Sequence, residues 1–166
     1  MHGIVVRTFE ARDVAAANAL TNHYIEKTAV HFAYEPATDA EFEAGWRSGS
    51  AQYPWLAAEL DGRLIGYAKA GRWRDREAYS RTTETGVYVA PELQGKGVGQ
   101  ALMVALLARL QQTGFRTAIA GIALPNPVSV RLHEALGFKP VGVFRGVGCK
   151  FGQWHDVGFW QYDFGV

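Results

Sequence analysis

Gly95, Gly97 and Gly99 stand on alternate positions in VYVAPELQGKGVGQAL, residues 87–102, between a β-like run and a helix-like run. Glycines let backbone N–H groups come close to a ligand, and a helix N-terminus adds partial positive charge. Together they suit an anion, most naturally a phosphate or pyrophosphate. A loop that merely needs positive φ angles would use the same residues. The nucleotide fingerprints fail: there is no G-x-x-x-x-G-K-[ST], and no G-x-G-x-x-G followed by an acidic residue about 20 positions on. A second group is His133 with Ser129 one helical turn before it, on the same face. Histidine can give or accept a proton near neutral pH. A Ser–His nucleophile would also need an elbow and a placed carboxylate, and the sequence offers neither. A core histidine bonded to backbone is the plain alternative. His23, His31 and His155 lack metal-ligand spacing, so no metal is expected.

These groups need elements to position them. Ile4 to Phe9 reads as a strand, and Asp13 can cap a helix with apolar residues at Val14, Ala17, Leu20 and Tyr24. Thr38 and Glu41 form a capping-box pair ahead of Phe42 and Trp46. WLAAEL and RLIGYAKAG flank Asp61-Gly62, a strong hairpin signal. Thr83 to Ala90 is a strand, and Val98 to Thr113 is a helix apolar almost all round, hence largely buried. TAIAGIAL is a strand; Asn126 caps the next helix, Pro127 opens it and Gly137 ends it. Two long strands close the chain around FKPVGVFRGVG and DVGFWQYDF. The order β-α-α-β-β-β-α-β-α-β-β predicts an α/β fold. Its mixed sheet of about seven strands carries about four helices, and a βαβ crossover holds the glycine block.

At 166 residues the chain suits one domain, residues 1–166. A formal net charge of +1 argues against a nucleic-acid partner, which needs a basic excess or stripe. No run reaches the roughly 20 apolar residues of a spanning helix, so no membrane partner is expected. The N-terminal MHGIVVRTFEARD has no secretory leader's apolar run. Cys149 is the only cysteine, which fits a reducing cytoplasm and reads as a buried strand residue.

Gln94-x-x-Gly97-x-Gly99 after Val87-Tyr88-Val89 resembles the acetyl-CoA pyrophosphate loop of the GNAT acyltransferases. Asn126, Ser129, Leu132, His133, Gly137 and Phe138 fall on that superfamily's N-x-x-[AS]-x-x-L-[YH]-x-x-x-G-F pattern. HYIE (23–26), YPWL (53–56), LPN (124–126), SVRLHEALGF (129–138) and WHDVGFWQ (154–161) are similar to phosphinothricin and methionine sulfone/sulfoximine N-acetyltransferases, from about Ile4 to Phe164.

The resemblance implies a GNAT fold, acetyl-CoA as cosubstrate, a small-molecule amine as substrate and a homodimer. It places Glu84 as general base and His133 as a proton donor to the departing thiolate. Glu84 stands three positions before Val87, which would put both on the strand facing the cofactor loop. The implied cofactor set is Val87, Tyr88, Val89, Gln94, Gly95, Lys96, Gly97, Val98, Gly99, Gln100, Asn126 and Ser129. Within it Val89 offers its N–H to the oxyanion. The implied substrate set is Phe32, Arg74, Asp75, Arg76, Tyr79, Glu84, Thr85 and Gly86. Arginine forks suit a carboxylate, phosphinate or sulfone oxygen. Asp75 and Glu77 interleave those arginines, a departure that leaves the anion's identity open. Rival readings are an acetyltransferase for another amine and a non-catalytic acyl-CoA sensor. The sensor would have no use for Glu84 and His133.

Overall fold

The computed structural model describes residues 3–165. Their one sheet has seven strands in the order β1-β2-β3-β4-β5-β7-β6. The strands are β1 (Val5–Thr8), β2 (Trp55–Leu60), β3 (Arg63–Arg72), β4 (Thr82–Val89), β5 (Thr117–Ala123), β6 (Lys139–Lys150) and β7 (Gln153–Asp163). The helices are α1 (Val14–Lys27), α2 (Asp39–Gly49), α3 (Val98–Gln112) and α4 (Pro127–Ala135). Every neighbouring pair is antiparallel except β4 and β5, which α3 joins as a crossover. The expected order of elements is met throughout.

Local chemistry explains most boundaries. Asp61 and Gly62 take φ of 51° and 76°, the mirror-image turn that matches strand twist in a two-residue hairpin. Thr38 accepts from the Glu41 N–H, and the Glu41 carboxylate accepts from Thr38, closing the capping box of α2. Asn126 Oδ1 accepts from the Ser129 N–H to start α4. Asp13 departs from expectation. Its carboxylate accepts from the Glu10 N–H across a 3-10 turn and from both Arg7 terminal nitrogens, at 2.7 and 2.8 Å, instead of capping α1. The nearby Arg7 cation outcompetes the helix amides for it.

Two apolar layers flank the sheet. Under α3, Leu102, Met103, Leu106 and Leu110 are fully buried against Leu56, Ala68 and Ala118. Val104 on the same helix is 52% exposed, so α3 buries one face rather than its whole circumference. On the other side, α1 and α2 cover Phe9, Ala57 and Tyr67. There Trp55, Tyr67 and Tyr88 stack in a row across β2, β3 and β4, with centroids 5.7 and 5.2 Å apart. Cys149 is half-buried, less enclosed than its type suggests.

Candidate active site

Strand β4 holds the site because it loses a neighbour halfway along. It pairs with β5 over three residues only, Thr82↔Thr117, Thr83↔Ala118 and Glu84↔Ile119, although β4 runs on to Val89 and β5 to Ala123. Beyond Glu84 the two strands part. The Ala90 N–H bonds the Ile65 carbonyl on the β3 side. Strand alternation therefore turns the Val87 and Val89 N–H groups toward the parted edge.

The glycine block lies at the head of this opening. Gly95 and Gly97 take φ of +71° and +83°, and open space surrounds the place of a Cβ at each. Both are needed for left-handed backbone. Gly99 serves differently: a Cβ there would stand 3.3 Å from Leu132 and 3.6 Å from Val89, so its bareness brings α3 close to α4 and β4. Gly97 caps α3 with no side-chain hydrogen bond, which leaves the first amides, of Val98, Gly99 and Gln100, available to an anion. Lys96 and Gln100 are exposed beside them. Positive φ is thus observed at Gly95 and Gly97, and the same turn presents amides that suit an anion.

Gln94 is already engaged. Its amide donates to the Tyr24 hydroxyl at 2.6 Å, and that hydroxyl donates to the Val89 carbonyl. This chain ties the loop and the end of β4 to α1. Burial raises the Tyr24 pKa, with Gln94 opposing, so the hydroxyl keeps its proton.

Glu84 lies on the α1/α2 face of the sheet with Gly86 and Tyr88. Val87 and Val89 pack their side chains into the α3 layer. Glu84 and Val87 both lie on β4, as expected, but three positions is an odd number and strand side chains alternate, so the two face opposite sides of the sheet. Only the backbone of Val87 and Val89 reaches the opening. The Glu84 carboxylate borders a cavity of about 690 Å³ whose floor includes Gly71, Gly86 and Gly121, with Trp55, Lys69, Arg72 and Tyr88 around it. A Cβ on Gly121 would stand 3.5 Å from Glu84 Oε1 and 3.1 Å from the Phe159 ring, so a side chain there would crowd the carboxylate. Burial pushes the Glu84 pKa above its ordinary 4.5, and Lys69 pulls against the rise. Burial, then Glu84 and Tyr24, push the Tyr88 hydroxyl up to about 12, which leaves it a neutral donor.

His133 is 3% exposed and packs edge-on to Phe138, centroids 5.0 Å apart. Its Nδ1 lies 2.8 Å from the Ser129 carbonyl, which can only accept, so Nδ1 carries the proton. The Ser129 hydroxyl, at 3.3 Å, is a weaker partner. Nε2 is buried with no hydrogen-bond partner among the described residues. Burial lowers the pKa, with Ser129 opposing, so the ring is neutral and Nε2 presents a lone pair rather than a proton.

The substrate segment divides. Glu84, Thr85 and Gly86 line the cavity, whereas Arg74, Asp75, Arg76 and Tyr79 do not. Arg74 sits 5.3 Å from the Trp73 ring and 5.8 Å from the Tyr79 ring. Asp75, 97% exposed, pairs with Arg72 at 3.5 Å. Of these arginines, Arg72 is the one at the cavity. Phe32 sits where a side chain on Gly148 would stand, fixed against β6. Its loop is held there by Lys150 Nζ, which donates to the Ile25 and His31 carbonyls, and by the Tyr34 hydroxyl, which donates to the Cys149 carbonyl. His31 Nδ1 accepts from the Ala33 N–H, which leaves Nε2 a donor in the neutral ring.

The family model described as Acetyltransferase (GNAT) family matches residues 17–138. This chain belongs to the GNAT family. A phosphinothricin N-acetyltransferase from Streptomyces viridochromogenes is 45% identical over 97% of this chain and 88% of its own. An L-methionine sulfoximine/L-methionine sulfone acetyltransferase from Salmonella typhimurium is 34% identical over 95% and 93%. A solved GNAT phosphinothricin acetyltransferase from Sinorhizobium meliloti, in complex with acetyl-CoA, has a TM-score of 0.94 and 32% identity over 97% and 88% of the two chains. The chain is therefore an acyltransferase with N-acetyltransferase activity.

Residues that sequence reasoning passed over are Lys69, Tyr24 and the Tyr88 side chain. Lys69 left a trace: a single charge inside the apolar run LIGYAKAG.

Proposed function

We propose that this enzyme transfers acetyl from acetyl-CoA to the α-amino group of a small amino-acid-like substrate, with phosphinothricin, methionine sulfoximine and methionine sulfone the first to name. One observation carries the reading: an ionisable carboxylate, Glu84, stands where β4 and β5 begin to part, at the junction of a substrate-sized cavity and an unpaired strand edge. The named activities of the relatives support the substrate class.

The pyrophosphate of acetyl-CoA sits on the α3 amides and the Gly95–Gly99 backbone, and the pantetheine arm pairs with Val87 and Val89 as an added strand. The Asn126 amide nitrogen, left free by the cap, faces the arm from α4. The thioester adds no electron sink beyond its own carbonyl, so the protein supplies position and charge. Glu84 takes a proton from the ammonium, directly or through one water. The amine attacks the thioester carbon, and the oxygen's negative charge falls to the Val89 N–H. The C–S bond breaks as the new N–C bond is kept. The surplus proton on the amide nitrogen passes to the departing thiolate, directly or through water, so that CoA leaves as thiol, and Glu84 returns its own proton to solvent. His133, neutral and protonated at Nδ1, holds α4 to its own turn and is not the proton source in this state. Arg72 acts at the rim of the cavity, with Arg74 and Arg76 farther out along the chain. A second copy pairs along the exposed β6 edge, and the enzyme works in the cytoplasm.

CoA-thiol release is measured with phosphinothricin, methionine sulfone and spermidine. Release with either of the first two, lost in Glu84→Gln, is expected. Release with spermidine alone, or none despite acetyl-CoA binding, overturns the reading.

A further inference from the structure

The cavity carries two cations, and they differ in how they are placed. Arg72 is at the rim, 59% exposed at its side chain and paired with Asp75. Lys69 is inside. Its stem lies over Gly86, with Cε 3.6 Å from where a Cβ would stand, and its ammonium is 5.2 Å from the centre of the Trp55 ring. Trp55 and the bare Gly86 together steer the chain across the floor. In the sheet register Lys69 pairs with Gly86 and Gly71 with Glu84, so Lys69 and Glu84 are diagonal neighbours on one face, about 7 Å apart at Cβ. They form no ion pair or hydrogen bond among the described residues; each acts on the other through space. Tyr88 and His31 are the other titratable groups nearby, both neutral donors.

A carboxylate and an ammonium that face one cavity without touching match a small zwitterion. We infer that the Lys69 ammonium binds the carboxylate of the amino acid whose amine is presented to Glu84, and so selects amino acids over amines that lack the acid. This rests on the proposed role of Glu84 for the amine end. Burial lowers the Lys69 pKa, with Glu84 opposing.

The test is calorimetric binding of L-methionine sulfone and its carboxamide to the CoA-loaded enzyme, for wild type, Lys69→Met and Lys69→Arg. Methionine keeps the stem over Gly86 and Trp55, and melting curves check the fold. A charge-assisted hydrogen bond predicts that wild type favours the acid by about 10- to 100-fold. Lys69→Met should erase that ratio and Lys69→Arg retain most of it. The double comparison cancels the weaker basicity of the amide's amine. Equal binding of acid and amide to wild type, no binding of the sulfone, or equal losses for both ligands in Lys69→Met overturns the inference. Thiol release read in parallel separates the two proposals. Tight, Lys69-dependent binding without release removes acetyl transfer to these substrates and leaves the carboxylate site. Release from the carboxamide as fast as from the acid removes the carboxylate site and leaves acetyl transfer.

Discussion

As the proposed base, Glu84 works only when ionised, and its surroundings set the pH at which that happens. Burial raises its pKa above 4.5 and Lys69 restrains the rise. Activity must therefore fall as pH drops through the raised value, so the acid limb of kcat/KM lies above an ordinary glutamate's. Removing the Lys69 charge takes away the restraint, and Lys69→Met should move that limb to higher pH; a pH–rate profile of both proteins decides it. Glu84→Gln should lower kcat by about 10²- to 10⁴-fold while acetyl-CoA binds unchanged by calorimetry, because the carboxylate is not in the anion loop. Residue types were legible here, and environments were not. The sequence names His133 but cannot say that the Ser129 carbonyl fixes its proton on Nδ1. It names Gly86 but not the Lys69 stem that crosses the floor above it.

The head of α3 is where an element does chemistry. A side chain at Gly97 must adopt φ of +83° although it has room, so the cost is backbone strain alone, about 1–2 kcal/mol. Gly97→Ala should weaken acetyl-CoA binding roughly 5- to 30-fold, with the amine KM little changed; a loss confined to the amine would contradict this. Elements set by their own neighbours were readable from the chain: the Asp61-Gly62 turn, the Thr38–Glu41 box and the Asn126 cap each close within four residues. What closes over longer spans was not. Asp13 is held by Arg7, which also reaches Glu59 from another strand. The inward face of α3 is chosen by β2, β3 and β5, not by its own composition.

At the scale of the molecule, charge and apolar surface are concentrated at opposite edges of the sheet. On the β1 side, Asp13 is 3% exposed. Burial alone would raise its pKa, but the Arg7 guanidinium and the Glu10 N–H hold it below 3.8. This stabilisation is complete above the unfolded value near 3.8 and drains away as pH falls toward the lower folded one. Asp13→Asn leaves Arg7 half-paired, which costs about 2–4 kcal/mol. Urea unfolding at pH 7 and pH 3 should show that loss at the higher pH and less of it at the lower. At the other edge β6 is twelve residues long, unpaired on its outer side, and exposes Val141, Val143, Phe144 and Val147 beside Trp154. Such an edge invites pairing. Sedimentation should give a dimer that Phe144→Glu dissociates; a wild-type monomer at tens of micromolar would end the idea.

The parting of β4 from β5 also makes the sheet two plates, β1–β4 and β5–β7, joined by three residue pairs and the helix that crosses between them. A pantetheine arm laid along that seam is then a fastener as well as a reagent. Heat should open the empty protein along this line first. Acetyl-CoA should raise its melting temperature and slow hydrogen exchange at the Val87 and Val89 amides most of all. An amine arriving before the fastener would meet a cavity with one loose wall, which predicts that the thioester binds first and the proposed amino acid second.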